Sequence, residues 1–188
     1  GETPKDDQGG GHGGGGEKEA KGGHGAEPAV VYQDEKGNPV DPPLKPASTL
    51  EEIRMLMSSM QYGPALEKAE KLLMQQDLTD AQREEALHVR AEMLFAINKD
   101  KLTENFVTIS DATNQAINYN PQSFRNAGAL LRLGYINLQL GNIPEAMARF
   151  NMLRRQYPDD ENVPLTYYYW GDYHFQRDEL QRAADEFQ

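Results

Sequence analysis

The chain has 188 residues, with 30 Asp and Glu against 19 Lys and Arg, a net charge of −11 and no cysteine. That balance excludes a broad basic surface for nucleic acid or an anionic membrane, and the missing thiols exclude disulfides, thiolate zinc sites and cysteine catalysis. No run of about 18 apolar residues occurs, so no segment reads as a membrane span.

In chain order, residues 1–47 are one kind of polymer and the rest another. Twelve of the 17 glycines and six of the 11 prolines precede residue 48, which marks 1–47 as a flexible, acidic, Gly/Pro-rich linker. Within it, "GGGHGGGGEKEAKGGHG" has no apolar side chain longer than Ala and cannot offset the entropy of ordering. His12 and His24 lie in this stretch. Two imidazoles in a floppy chain are a poor ligand set, so no metal site is expected there. "VVYQDEKGNPVDPP" reads as an extended strand or a transient hairpin, its prolines arguing against a helix.

From Ser48 the apolar period becomes helical. Ser48 or Thr49, followed by Glu51 and Glu52, is the expected N-cap of a first helix with Leu50, Ile53, Leu56 and Met57 on one face. "QYGP" is expected to break it, with Pro64 in the first turn of a second helix whose stripe is Ala65, Leu66, Ala69, Leu72 and Leu73. "DLTDAQ" reads as a cap region for a helix over 81–97, with Ala86, Leu87, Ala91, Leu94 and Phe95 inward. Further helices are expected over 105–118, 123–140, 144–156, 162–177 and 179–188. No strand alternation intervenes, so the fold class is all-α.

Two phrases, "LGYINLQLGNIPEAMARF" at 133–150 and "WGDYHFQRDELQRAADEF" at 170–187, place Gly, Ala and Phe in the same slots. With Leu130 and Leu133 before Gly134, Gly141 at the turn, Ala146, Phe150 and Leu153 after it and Pro158 at the close, residues 127–160 resemble a tetratricopeptide repeat (TPR), a helix–turn–helix unit of about 34 residues. A second unit starts near Pro164 and carries Trp170, Gly171, Ala183 and Phe187, with Asp178 in place of the turn glycine. Residues 84–121 and 48–79 fit more loosely. The resemblance implies a right-handed superhelix of roughly three and a half repeats over 48–188. In it Gly134 and Gly171 allow close helix approach, and Phe150 and Phe187 fill the wedge against the next unit.

The resemblance also implies a groove lined by the first helix of each repeat. Carried over position by position, its residues are His88, Glu92 and Phe95, then Leu131, Tyr135, Leu138 and Gln139, then Tyr168, Asp172, Phe175 and Gln176. The branch of the family that clamps a C-terminal carboxylate uses Lys and Asn where this chain has His88, Glu92, Leu131, Tyr135, Tyr168 and Asp172. No lysine follows Lys101, so a lysine-based clamp is not expected.

Catalysis finds no foothold: HExxH, GxSxG and a phosphate loop are all missing, and no cofactor is implied. The expected function is therefore a non-catalytic interaction or scaffold module that binds a protein or peptide in the groove. The alternatives are a repeat segment that stacks or self-associates through its C-terminal repeat, and an accessory region of a larger enzyme. The Arg-rich helix ending in Tyr-Pro, the acidic loop and the aromatic helix over 150–188 are similar to repeats of bacterial cell-envelope proteins. That likeness implies a periplasmic or membrane-tethered location, with the cytoplasm as the alternative. The opening Gly and the helical "RAADEFQ" at the end read as a piece of a longer protein.

Overall fold

The computed structural model describes residues 31–177. The expected linker up to residue 30, with His12 and His24, and the expected last helix, with Asp178, Ala183 and Phe187, lie outside the described residues. The chain divides into two units, 1–42 and 43–188.

In the first unit, residues 31–42 adopt the hairpin alternative as one tight turn. Gln33 and Pro39 form an isolated antiparallel bridge, and Gly37 takes a φ of 81°. The Asp34 carboxylate closes the turn by accepting the Lys36 and Asn38 backbone N–H groups at 2.9 and 2.8 Å and the Asn38 side-chain amide at 2.9 Å.

The second unit is helical: α1 (Pro46–Ser58), α2 (Tyr62–Leu73), α3 (Asp80–Ile97), α4 (Leu102–Tyr119), α5 (Asn126–Gln139), α6 (Ile143–Gln156) and α7 (Val163–Phe175). A single 3-10 turn, Lys99–Lys101, joins α3 to α4. Among the described residues there is no strand, and no helix is long and apolar enough to cross a membrane.

Two local expectations are corrected. The first helix starts at Pro46, not at a Ser48 or Thr49 cap. Pro46 at its first position has no N–H to leave orphaned, and Thr49 is buried inside the helix instead. The break after α1 lies at Ser59–Gln61, because Tyr62–Pro64 already form the first turn of α2. Met60 makes that reversal in the left-handed region at φ 58°, as Gly141 does between α5 and α6 at φ 76°. Both turns close the same way: Met60 N–H bonds to Met57 O (3.0 Å) and Gln61 N–H to Leu56 O (2.8 Å), while Gly141 N–H bonds to Leu138 O (3.1 Å) and Asn142 N–H to Asn137 O (2.8 Å). At α3 the cap region resolves into a capping box. Thr79 Oγ1 accepts the Gln82 N–H at 3.3 Å, and Gln82 Oε1 accepts the Thr79 N–H at 3.0 Å.

The apolar faces pair helices in sequence. Leu50, Ile53, Ala65, Ala69, Leu72, Ala86 and Met93 join α1 and α2 to α3. Leu102, Ile109 and Ile136 join α4 to α5, with Leu94 and Phe95 of α3 packed on them. Leu130, Ala146, Phe150 and Leu153 join α5 to α6, with Trp170 and Tyr173 of α7 against them. Each pair thus completes its core only with the first helix of the next, the arrangement expected of stacked units.

The glycine at Gly134 is explained by one contact. A Cβ there would lie 2.3 Å from Cε1 of Phe150 and 2.5 Å from Cδ1. Phe150, fully buried, therefore fills the space over Gly134 within its own helix pair, rather than only wedging against the next unit. Arg154, beyond suiting the C-terminal end of α6, binds α6 to α7. Its Nε donates to Thr166 Oγ1 at 2.8 Å and its guanidinium lies 3.7 Å from the Tyr167 ring centre.

Candidate functional site

Helices α3 and α5 lie side by side and parallel. Glu85 meets Arg125 at their N-terminal ends, and Phe95 meets Tyr135 toward their C-terminal ends. Next to α5, α7 brings Tyr169 to a ring-centre distance of 4.8 Å from Tyr135. Between these helices and α1 opens a cleft of about 700 Å³.

One end of the cleft is charged. Glu85, 8% exposed, accepts Arg54 of α1 at 2.6 Å through Nη2 and 2.7 Å through Nε, and Arg125 at 3.2 Å. It thereby ties α1 and the start of α5 to α3. Beside it, Glu84 accepts Ser123 Oγ at 2.5 Å and Asn120 Nδ2 at 2.7 Å. Partial burial alone would raise the Glu84 carboxyl, but these two hydrogen bonds hold it below the usual range. Glu161 and Asn162, just before α7, also line the cleft.

The other end is aromatic. Phe95 and Tyr135 meet edge to face at 6.0 Å, and Tyr135 tilts against Tyr169. Burial, with Tyr169 and Asp172 nearby, raises the Tyr135 phenol above its ordinary value.

The middle is where polar groups lack partners. His88 is 6% exposed, and its Nε2 has no hydrogen bond. Burial drives its pKa down to about 4, with Arg132 and Arg125 pushing the same way and Glu84 opposing, so the ring is neutral at pH 7. Arg132 has a buried Nε with no partner, and among the described residues its guanidinium makes no hydrogen bond or ion pair within 4 Å. Its Cζ lies 5.9 Å from the Phe95 ring centre. Burial pulls the Arg132 pKa down, with Glu92 as the opposing charge, yet a guanidinium stays protonated. Between them Gly128 faces open space, with nothing within 4 Å of where a Cβ would stand.

Of the expected groove residues, the structure brings His88, Glu92, Phe95, Leu131 and Tyr135 together on this cleft. It does not bring the rest. Leu138 is fully buried in the core, and Gln139 is exposed away from the cleft. On α7, Tyr168 and Phe175 are 54% and 59% exposed, and Gln176 is exposed and donates to Asp172 Oδ2 at 2.7 Å. The tyrosine turned into the cleft is Tyr169, one residue and about 100° around the helix from the expected Tyr168. Three consecutive tyrosines, Tyr167 to Tyr169, surround α7, and no pattern in the sequence says which faces α5.

The arginines were also missed. Arg54, Arg125 and Arg132 occupy positions outside the carried-over register, so the cleft carries cations where the expected slots held none. Position alone offered one clue: Arg132 stands among Leu130, Leu131 and Leu133, an uncommon place for a charge without a use. His174 is 3% exposed and meets Trp170 edge to face at 4.4 Å. Among the described residues, no group of three His, Cys, Asp or Glu is placed to hold a metal ion.

Compared with known proteins, the sequence matches no protein-family model and has no significant match among curated proteins.

Proposed function

We propose that the helical unit is a non-catalytic interaction module of TPR type that holds a peptide segment of a partner protein in the α3–α5–α7 cleft. The observation that carries this reading is the convergence of five groove positions from two parallel helices on one open cleft with an aromatic end. A cleft of about 700 Å³ falls within the usual size of ligand sites in folded proteins, here with an aromatic end and a charged one. Aromatic side chains supply large contact area with few rotamers to freeze. A bacterial envelope setting accords with the sequence likeness and belongs to this proposal.

Gly128→Trp tests it. The new side chain enters open space rather than a packed neighbour, so it fills the cleft while the helix remains. A displayed random-peptide library selected on the wild type is expected to give binders that Gly128→Trp loses and Tyr168→Ala keeps. Binders retained by Gly128→Trp would place recognition elsewhere.

A second reading rests on α7. Leu165, Tyr168 and Phe175 are exposed along one side of it, a stripe suited to stacking against further repeats or another copy. Concentration-dependent association that Tyr168→Ala and Phe175→Ala abolish would favour that reading.

A further inference from the structure

Four cations, Arg54, Lys99, Arg125 and Arg132, face three carboxylates in the cleft, although the whole chain is strongly acidic. Arg54 and Arg125 are both engaged by Glu85. Arg132 makes no hydrogen bond or ion pair among the described residues and feels only the Phe95 ring and the field of Glu92, and His88 Nε2 on the facing helix is also without a partner. Arg132 is half-buried and its Nε is shut off from water without an acceptor, so a carboxylate that pairs with it would restore what the partial burial removes. We propose that the cleft takes an acidic peptide segment, with the side-chain carboxylate of one Asp or Glu seated on the Arg132 guanidinium. A neighbouring apolar side chain of that peptide occupies the aromatic end formed by Phe95, Tyr135 and Tyr169. The proposal rests on the reading of the cleft as a peptide groove and names the chemistry of its partner.

Position selects a side chain over a chain terminus. Along α5 the cleft lining includes Arg125 and Gly128 on one side of Arg132 and Tyr135 on the other. A peptide therefore passes Arg132 in both directions. Pairing selects a carboxylate over a phosphate, because Glu85 already occupies Arg54 and Arg125 and leaves Arg132 as one guanidinium for a monoanion rather than a cluster of cations for a dianion. The planar guanidinium offers paired N–H groups that match a carboxylate. His88, neutral in the folded state, donates to the same ligand in its Nε2–H tautomer.

The test uses a random library of C-terminally amidated peptides on the full chain, with Arg132→Gln, Arg132→Lys and Gly128→Trp alongside, all checked for helicity by circular dichroism. The wild type is expected to enrich Asp or Glu at one position. The best peptide is expected to bind about tenfold or more weakly to Arg132→Gln, with part of the loss restored by Arg132→Lys. Changing that peptide residue to Gln is expected to cost a similar factor on the wild type and under twofold on Arg132→Gln, the non-additivity that marks a direct pair. Binders with no acidic preference that Gly128→Trp still loses would overturn this inference while leaving the groove reading intact. Binders indifferent to Gly128→Trp would overturn both. A phosphoserine peptide that binds more tightly than its Glu counterpart, or a requirement for a free terminal carboxylate, would overturn the choice of a side-chain carboxylate.

Discussion

Two glycines six residues apart on α5 are expected to respond to alanine with opposite signs. At Gly134 the added methyl would stand 2.3 Å from Cε1 and 2.5 Å from Cδ1 of Phe150, well inside the ordinary carbon contact of about 3.5–4.0 Å. Phe150 is fully buried among Leu130, Ala146 and Leu153, so its ring has no solvent side to swing toward. Overpacking of this kind costs about 1–3 kcal/mol, and the helix-propensity gain of Ala over Gly returns about 1 kcal/mol. Gly134→Ala should therefore destabilise the unit by up to about 2 kcal/mol, lowering Tm by up to roughly 8 °C. Gly128→Ala meets nothing within 4 Å and should stabilise by about 0.4–1 kcal/mol. Urea unfolding of both variants measures the pair. A third variant makes the argument specific: in a Phe150→Leu background, which is itself less stable, Gly134→Ala should lose most of its penalty. Equal stabilisation by both glycine substitutions, or a Gly134→Ala penalty unchanged in the Phe150→Leu background, would refute the contact as the reason for glycine at this position.

Three further outcomes are expected. Arg132→Met removes a half-buried charge whose Nε has no partner, at similar volume, so stability should be unchanged or rise by up to about 1 kcal/mol. A loss larger than about 1 kcal/mol in urea would show the guanidinium to be a structural element. Folded His88, with its pKa near 4 against 6.5 when unfolded, binds fewer protons than the unfolded chain between those values. Its contribution is thus complete above pH 6.5 and lost as pH falls toward 4. Wild type should lose roughly 2 kcal/mol more than His88→Gln between pH 7 and pH 4.5, read from urea midpoints at each pH. Met60→Gly should stabilise by about 0.5–1 kcal/mol, because the left-handed turn costs a side-chain-bearing residue more than the added chain entropy of glycine; a lower Tm would contradict that.

The all-helical class and most core faces were legible in the sequence because they depend on local periodicity. Leu50 and Ile53, Ala65, Ala69 and Leu72, and Ala86 and Ala91 are buried as their spacing implies, since a helix turns apolar residues three and four apart to one side whatever packs there. Gly134 was legible as a close-approach site, though not its occupant. Boundaries were less legible. Pro46 starts α1 by lacking a donor, and Met60 turns the chain just ahead of the "QYGP" expected to break it, closed by hydrogen bonds to Met57 and Leu56 that no local pattern announces.

The site shows the sharper division. His88, Glu92, Phe95, Leu131 and Tyr135 could be named from the repeat register because α3 and α5 each present one continuous face. That Tyr169 and not Tyr168 completes the cleft, and that Leu138 leaves it for the core, depends on the rotation of each helix against its neighbours. The ion pairs from Arg54 and Arg125 to Glu85 span 31 and 40 residues of sequence, and the isolation of Arg132 beneath Phe95 exists only once four helices have met. Sequence alone determined which residues are helical and which side of each helix is apolar, because those are properties of a single turn. Only the tertiary structure decided which charges find partners and which one does not, because pairing is a property of distances between helices.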